Sequence, residues 1–107
     1  MWVLRASDAE APVFRMRPGA VKTIGRARGA DFVLDIPLVS RVHCRLTADD
    51  DGIDVEDLKS TNGTFVNGTR LSPRARLRPG DRLRVGRMEM VVDREVRREK
   101  GEGRREK

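Results

Sequence analysis

The sequence is poor in the features that mark secreted and membrane proteins. Among its 107 residues there is one cysteine, Cys44, so no disulfide can form within the chain and an oxidising compartment is not indicated. No apolar run approaches the roughly 20 residues of a membrane-spanning helix. The first residues, MWVLRASDAEAPV, lack the apolar stretch of a signal peptide. We therefore expect a cytoplasmic protein without membrane attachment.

Aromatic residues are also scarce, at 4% with no tyrosine, so the core must consist mainly of Val, Leu and Ile. The net charge of +6 could attract phosphate, nucleic acid or acidic surfaces. A protein that stacks on single-stranded nucleic acid needs exposed aromatic side chains. The four aromatics here all lie in strand-like contexts: Trp2, Phe14, Phe32 and Phe65. We expect no specific nucleic-acid binding, and weak salt-sensitive binding at most.

Catalytic and metal-binding patterns are missing as well. One histidine, His43, and one cysteine are too few for a zinc site, and a Walker loop is absent. Ser40 and His43, with Asp35 or Asp57, resemble the members of a hydrolase triad. However, Ser-x-x-His brings neither a nucleophile elbow nor an oxyanion hole. We predict no enzyme activity, no cofactor and no metal.

What the sequence does contain is a series of short apolar runs, separated by turn residues about every eight to twelve positions. Several runs alternate, as in Arg82-Leu-Arg-Val85, where the apolar residues share one face of a strand. No window before residue 93 has a convincing helical period. These features favour an all-β sandwich or barrel. The predicted strands are Met1–Ala6, Val13–Arg17, Val21–Ile24, Phe32–Leu34, Val42–Thr47, Ile53–Asp57, Thr64–Val66, Thr69–Leu71, Ala75–Leu77, Arg82–Val85 and Met88–Val92.

The character of the chain changes near Asp93. From there to Lys107 nearly every residue is charged, and such a segment cannot bury enough apolar surface to order itself. We predict one domain over residues 1–93 and a disordered, charged tail over residues 94–107.

Three patches combine arginine, hydroxyl and amide side chains where a predicted strand meets a loop. They are Thr23-Ile-Gly-Arg26, Leu38-Val-Ser-Arg-Val-His43 and Ser60-Thr-Asn-Gly-Thr64. Arginine offers planar, bidentate donors to a phosphate, and hydroxyls add single donors. An asparagine side chain both donates and accepts, so it can hold the backbone of an extended peptide. Taken singly, each of these side chains could be a surface charge or a turn cap.

A fourth patch, Asn67-Gly68, follows Asn62-Gly63 within KSTNGTFVNG. Asn-Gly favours a hairpin turn because both residues tolerate positive φ. Taken in order, the four patches resemble the forkhead-associated (FHA) domain family, whose pattern is Gly-Arg, Ser-x-x-His, Asn-Gly-Thr and Asn-Gly. The resemblance covers roughly residues 2–92. The matching residues are Gly25-Arg26, Ser40-Arg41-Val42-His43, Asn62-Gly63-Thr64 and Asn67-Gly68.

The resemblance implies a β-sandwich of about eleven short, mainly antiparallel strands with its binding loops at one end. It also implies an adaptor that binds phosphothreonine peptides and so reads Ser/Thr-kinase phosphorylation. The partner would be a phosphothreonine-containing protein, such as a Ser/Thr kinase or its substrate. On this chain the phosphate contacts would be Arg26, Ser40, Arg41 and Thr61, while Asn62 would bond the peptide backbone.

Other residues receive supporting roles from the same resemblance. Leu38, Val39 and Arg87 are candidates for choosing the residue three positions after the phosphothreonine. His43 would brace the loops from inside, and structural roles fall to Gly25, Gly63, Asn67 and Gly68. An alternative function is a phosphate-independent interaction module, since some FHA domains bind partners without phosphate. A nucleic-acid-binding or hydrolytic function is less expected, for the reasons above.

Overall fold

The computed structural model describes residues 1–6 and 11–95, which form eleven β-strands. The expected all-β architecture is confirmed, and each strand lies within two residues of its predicted bounds. In the described ranges no helix is long and apolar enough to cross a membrane. The strands are β1 Trp2–Ala6, β2 Val13–Met16, β3 Val21–Gly25, β4 Phe32–Val33, β5 Cys44–Ala48, β6 Ile53–Asp57, β7 Thr64–Val66, β8 Thr69–Arg70, β9 Arg74–Leu77, β10 Arg82–Val85 and β11 Met88–Arg94.

The strands pair into two sheets that face each other as a sandwich. One sheet has six strands in the order β2-β1-β11-β10-β7-β8, and the other has five in the order β4-β3-β5-β6-β9. Strands β3 and β4 run parallel, whereas the other pairings in the described residues are antiparallel. The expectation of a mainly antiparallel sandwich is therefore confirmed.

The hydrophobic core lies between the sheets because each strand turns one side of its alternating pattern inward. In β10, Leu83 and Val85 are fully buried, while Arg82 is exposed and Arg84 is half-buried. The five-stranded sheet contributes residues such as Leu46 to the same cluster. Fully burying an aliphatic side chain of this kind stabilises the fold by roughly 1.5–3 kcal/mol.

Two phenylalanines connect the edge strands of the two sheets. Phe14 on β2 and Phe32 on β4 stack with ring centroids 4.5 Å apart and planes inclined by 6°. Trp2 is buried, and its indole N–H donates to the carbonyl of Asp49 at 2.8 Å. Three of the four aromatic side chains, Trp2, Phe14 and Phe32, thus belong to the core or pack against it.

The sequence placed the start of β5 two residues too early. Val42 is 49% exposed, and β5 begins at Cys44. The chain bends at Arg41 and Val42 before the strand, and the ring of His43 contacts Ser40 in the same loop and Gly63 in the β6–β7 loop. The alternation of apolar residues cannot reveal this turn, since Val42 is itself apolar.

The last strand continues one residue beyond the predicted end of the domain. Arg94 pairs with Trp2 across β1 and β11, and its guanidinium lies 4.5 Å from the indole ring centroid. The backbone N–H of Glu95 donates to the carbonyl of Met1. The predicted disorder of the tail lies outside the described residues from position 96 onward.

The connections that carry the candidate residues gather at one end of the sandwich. They are the loops after β3, before β5 and between β6 and β7, together with the turn between β10 and β11. A sandwich brings loops that are distant in sequence to one end, which is where binding residues commonly lie. We call this the loop end.

Candidate functional site

An open cleft of about 440 Å³ lies at the loop end. Three separate loops contribute its walls, and four of the five side chains predicted to contact phosphate or peptide line it. The exception is Arg41, which is exposed beside the cleft. The lining residues are Arg26, Pro37, Leu38, Val39, Ser40, Thr61 and Asn62.

Ser40 stands at the centre of the contacts between these loops. Its carbonyl accepts from the backbone N–H of Arg26 at 2.9 Å, and its Oγ accepts from the backbone N–H of Thr61 at 3.0 Å. Because Oγ accepts this bond, its own proton remains available to donate. Within the described residues, no protein group accepts that proton.

His43 is fully buried beneath the cleft and joins two of the loops. Its Nδ1 accepts from the backbone N–H of Ser40 at 3.0 Å, and its Nε2 lies 2.9 Å from the carbonyl oxygen of Gly63. A backbone N–H can only donate and a carbonyl can only accept, so the ring is neutral with its proton on Nε2. Both ring nitrogens are therefore used within the fold.

Asn62 spans the cleft to the opposite loop. Its Nδ2 donates to the carbonyl of Leu38 at 3.1 Å, while its Oδ1 is left as an acceptor. Leu38 has φ of 73°, a left-handed conformation that is unusual for a residue other than glycine. The bond from Asn62 helps to hold this strained residue, and strain of this kind concentrates at binding sites.

Arg26 is exposed, and its side chain is oriented by one bond. Its Nε donates to the carbonyl of Val39 at 3.0 Å, which leaves the two terminal nitrogens for a ligand. In the part of the chain that the structure describes, no carboxylate forms a salt bridge with Arg26 or Arg41. The charge of these two arginines is not neutralised by the fold.

Two glycines at the loop end have close neighbours. A Cβ on Gly25 would lie 2.0 Å from the carbonyl oxygen of Arg41, so only glycine lets the strand approach this loop. Gly63 has φ of 88°, and a Cβ there would meet the guanidinium of Arg70. In both cases the backbone comes closer to its neighbour than a side chain would allow.

Asn67 and Gly68 lie away from the cleft. They form the two-residue turn between β7 and β8, with φ of 50° and 84°. The Oδ1 of Asn67 accepts from the backbone N–H of Arg82 at 2.9 Å. This turn joins adjacent strands of the six-stranded sheet and does not line the cleft.

Cys44 follows His43 and is fully buried in the core. Burial, with a smaller effect from the nearby charge of Asp57, raises the pKa of its thiol to about 12. The thiolate is the reactive form of cysteine, so this thiol is inert at neutral pH.

Comparison with known proteins identifies the family. The family model described as "FHA domain" matches residues 22–86, which is more than half of the chain. The chain belongs to the FHA domain family. The matched segment contains every residue that lines the cleft.

Two curated relatives are much longer than this FHA domain. An ABC transporter ATP-binding/permease protein of Mycobacterium tuberculosis is 43% identical over 74 residues, which is 69% of this chain but 8% of the transporter. The FHA domain-containing protein FhaA of the same organism is 35% identical over 89 residues, covering 83% of this chain and 16% of FhaA. The chain therefore spans a small part of the length of these relatives.

A solved structure supports the same assignment. It belongs to work on phosphothreonine-dependent FHA domain interactions, and it superposes with a TM-score of 0.79 at 32% identity. The alignment covers 90% of this chain and 98% of the solved chain. The FHA fold is thus matched over nearly its whole length.

Sequence reasoning considered Asp57 only as the acid of a hydrolase triad that it rejected, whereas in the structure Asp57 organises one wall of the cleft. Its carboxylate accepts from the backbone N–H and the hydroxyl of Ser60 and from the hydroxyl of Thr64. The Oγ of Ser60 in turn accepts from the backbone N–H of Gly63 at 2.9 Å. An aspartate followed three residues later by serine is typical of a turn in which the carboxylate accepts from nearby backbone N–H groups. This spacing was the sequence signal that could have revealed the role of Asp57.

The same carboxyl group carries a shifted pKa. Burial raises the pKa of Asp57, but the hydrogen bonds from Ser60 and Thr64 outweigh that effect. The pKa of this carboxyl therefore lies below its ordinary value. The network favours the ionised carboxylate, so it is complete at neutral pH.

The three candidates for peptide selectivity occupy different positions. Leu38 lines the cleft and is 43% exposed. Val39 is 3% exposed and belongs to the core, so its side chain has little surface to offer a peptide. Arg87 is exposed in the turn between β10 and β11 and does not line the cleft.

Gly86 and Pro37 were also missed by sequence reasoning. A Cβ on Gly86 would lie 2.9 Å from the side chain of Val39 and 3.1 Å from the carbonyl of Pro37. Gly86, with φ of 63°, therefore lets the β4–β5 loop, which contains Pro37 and Val39, pack against the β10–β11 turn. A glycine in a two-residue link between strands predicts a hairpin turn, but it does not reveal which loop lies against that turn.

Proposed function

We propose that this FHA domain binds phosphothreonine peptides and acts as an adaptor that reads Ser/Thr-kinase phosphorylation on partner proteins. The observation that carries the proposal is the meeting of Arg26, Ser40, Thr61 and Asn62 in one open cleft. Three of these side chains offer donors to a phosphate, and the fourth offers both a donor and an acceptor to a peptide.

The phosphate would lie between Arg26, Ser40 and Thr61, with Arg41 at its side. A phosphothreonine carries about −1.5 to −2 charges near neutral pH, and two arginines balance most of this charge. The terminal nitrogens of Arg26 and the hydroxyl proton of Ser40 have no protein partner in the described residues. Charge-assisted hydrogen bonds from such groups are roughly twice as strong as neutral ones.

Asn62 would select a peptide over a free phosphate. Its Oδ1 can accept from a backbone N–H of the bound peptide while its Nδ2 stays bonded to Leu38. Because Asn62 is already held by its bond to Leu38, its loop need not move when the peptide binds, and little conformational entropy is lost. Leu38, exposed at the edge of the cleft, is the residue we assign to contact a neighbouring peptide side chain.

The hydrolase alternative finds no supporting geometry. A triad needs the imidazole bonded to the serine hydroxyl. Here His43 bonds the backbone of Ser40 and the carbonyl of Gly63, while Asp57 bonds Ser60 and Thr64. We therefore assign His43 to holding the loops and propose a binding module without catalysis.

The nucleic-acid alternative is also weaker. Trp2 and Phe14 are buried in the core, and Phe32 and Phe65 are half-buried. No aromatic side chain of the chain is therefore exposed as a base-stacking platform would require. A phosphate-independent interaction module differs from our proposal in one measurable property. It would bind phosphorylated and unphosphorylated partners with the same affinity.

The identity of the partner and the cellular compartment remain predictions. A phosphothreonine-bearing kinase or kinase substrate suits the proposed chemistry, and a cytoplasmic location would bring the domain to such partners. The boundary near residue 93, with a charged tail beyond it, likewise remains a proposal.

A peptide titration tests the function. We expect a phosphothreonine peptide to bind, a phosphoserine peptide to bind more weakly and the unphosphorylated peptide not to bind, as measured by fluorescence anisotropy. Arg26→Ala should weaken binding roughly 10–100-fold, because charge-assisted bonds are lost. Arg17→Ala is the matched control, since Arg17 is an exposed arginine in the β2–β3 turn at the opposite end. Equal affinity for the phosphorylated and unphosphorylated peptides would refute the proposal.

A further inference from the structure

A row of side chains crosses the outer face of the six-stranded sheet just outside the cleft. Phe65 on β7 is the register partner of Arg84 on β10 and of Arg70 on β8. The three side chains therefore stand side by side on one face, with the aromatic ring between two guanidinium groups. We call Arg70, Phe65 and Arg84 the arginine strip.

One end of the strip touches the loop that holds Asn62. The guanidinium of Arg70 packs against Gly63, where a Cβ would lie 2.7 Å from its Nε and 2.9 Å from its Cζ. Arg70 thus occupies the space that a side chain at position 63 would fill. Its charge lies one residue away from the side chain assigned to hold the peptide backbone.

The other end of the strip reaches the β10–β11 turn, which lies against the cleft-lining residues Pro37 and Val39. The guanidinium of Arg84 lies 4.0 Å from the ring centroid of Phe65, and its Nη1 donates to the carbonyl of Gly86 at 3.1 Å. Gly86 in turn lies against Val39 and Pro37 in the β4–β5 loop. The strip therefore runs from the loop that holds Asn62 to the β10–β11 turn, against which Pro37 and Val39 lie.

The two arginines of the strip are oriented but not neutralised. Across residues 1–6 and 11–95, neither forms a salt bridge. Glu89 is the register partner of Arg84, but its carboxylate pairs with Arg82 at 3.3 Å. Planar guanidinium groups held by packing lose less entropy when they bind a carboxylate than flexible side chains do.

We propose that the arginine strip selects peptides with acidic residues on one flank of the phosphothreonine. This inference rests on the proposed function. Arg70 lies against Gly63, the residue after Asn62. A peptide held at Asn62 is an extended chain that advances about 3.3 Å per residue, and the flank that passes over Gly63 reaches Arg70. Aspartate or glutamate side chains there meet Arg70 first and then Arg84.

Three phosphothreonine peptides test the inference in the full chain. One has alanines on both flanks, one has three aspartates before the phosphothreonine, and one has three aspartates after it. We expect one acidic peptide to bind about 5-fold more tightly than the alanine peptide, the scale of a few exposed ion pairs. Arg70→Gln should remove most of that gain and leave the alanine peptide within about 2-fold.

Two controls separate local contact from general attraction by a basic protein. Arg78→Gln removes an exposed charge from the β9–β10 turn, at the opposite end, and should leave the gain intact. Arg70→Lys keeps the charge but not the planar fork, and should retain part of the gain. The tighter binding of the acidic peptide should diminish as the salt concentration is raised, since the contact between arginine and carboxylate is exposed.

The outcomes distinguish this inference from the proposed function. If the alanine phosphopeptide binds but both acidic peptides bind no better, or if Arg70→Gln leaves the gain unchanged, the role of the strip is refuted and the function stands. If the unphosphorylated acidic peptides bind as tightly as the phosphorylated ones, the proposed function itself fails.

Discussion

A turn at one end of the sandwich and the cleft at the other differ in how far along the chain their hydrogen-bond partners lie. At the end opposite the cleft, turns are closed by their own residues, as where Asp49 accepts from the backbone N–H groups of Asp51 and Gly52. At the loop end, bonds join separate loops: Thr61 bonds Ser40 across 21 positions, and Asn62 bonds Leu38 across 24. The bonds of Asp49 thus depend on neighbours in the sequence, whereas the bonds to Ser40 and Leu38 form only when two loops meet in the assembled fold.

The charges of the two ends differ in the same way. Arg76, beside the turn at the opposite end, pairs with Asp49 at 2.7 Å and with Asp54 at 3.0 Å. Among the described residues, Arg26 and Arg41 at the loop end form no salt bridge. The charge of Arg76 is thus balanced within the fold, whereas the charges of Arg26 and Arg41, which lie at or beside the cleft, can pair with a ligand.

The largest effect that tests this difference is expected from His43→Ala. The change leaves the backbone groups of Ser40 and Gly63 without partners and opens a cavity under the cleft. We expect the free energy of unfolding to fall by about 3 kcal/mol, measured by urea denaturation. Ser40→Ala should cost about 1 kcal/mol, and the reverse order would show that His43 does not hold the loops together.

The next effect is expected from Gly25→Ala, because the added Cβ would meet the backbone of Arg41 at 2.0 Å. We expect a loss of about 2 kcal/mol in unfolding free energy together with weaker phosphopeptide binding. Gly29→Ala is the matched control, since a Cβ there meets nothing within 4 Å. Equal stability of the two variants would mean that the close approach at Gly25 is easily relieved.

A pH dependence should follow from Asp57. Because its folded pKa is lowered, its stabilising effect is fully present above the ordinary value of 3.8 and is lost as the pH falls through the folded value. We expect Asp57→Asn to lower stability at neutral pH and to reduce the loss of stability in acid. Thermal unfolding of both proteins at neutral and acidic pH measures this, and parallel curves would contradict it.

The smallest effect is expected at the opposite end. The bond from Arg76, with the backbone N–H of Asp51, lowers the pKa of Asp49, but the group is exposed. We expect Asp49→Asn to reduce the melting temperature less than Asp57→Asn does and to leave phosphopeptide affinity unchanged. A clear loss of affinity would show that the two ends are coupled.

Much of the fold could be predicted because its signals are local. The alternation in Arg82-Leu-Arg-Val85 and the turn at Asn67-Gly68 depend on neighbouring residues, and the structure has both where they were expected. The prediction was wrong at the start of β5, where the ring of His43 contacts Ser40 in its own loop and Gly63 in the β6–β7 loop. A pattern of apolar residues contains no information about such contacts.

The candidate site was predicted less completely. The motifs pointed to Arg26, Ser40 and Asn62, and the cleft contains all three. Sequence alone did not distinguish the buried Val39 from the exposed Leu38, since both are apolar residues in one loop. It also considered Asp57 only as a triad acid and missed its bonds to Ser60 and Thr64.

The sequence by itself determined the strands, the turns and the residue types of the site, because backbone preference and alternation are properties of adjacent residues. The tertiary structure decided which side chains face the cleft and which hold it from below. Only the assembled sandwich brings Ser40 to Thr61 and Leu38 to Asn62. Such contacts arise between segments far apart in the chain, where no local preference operates.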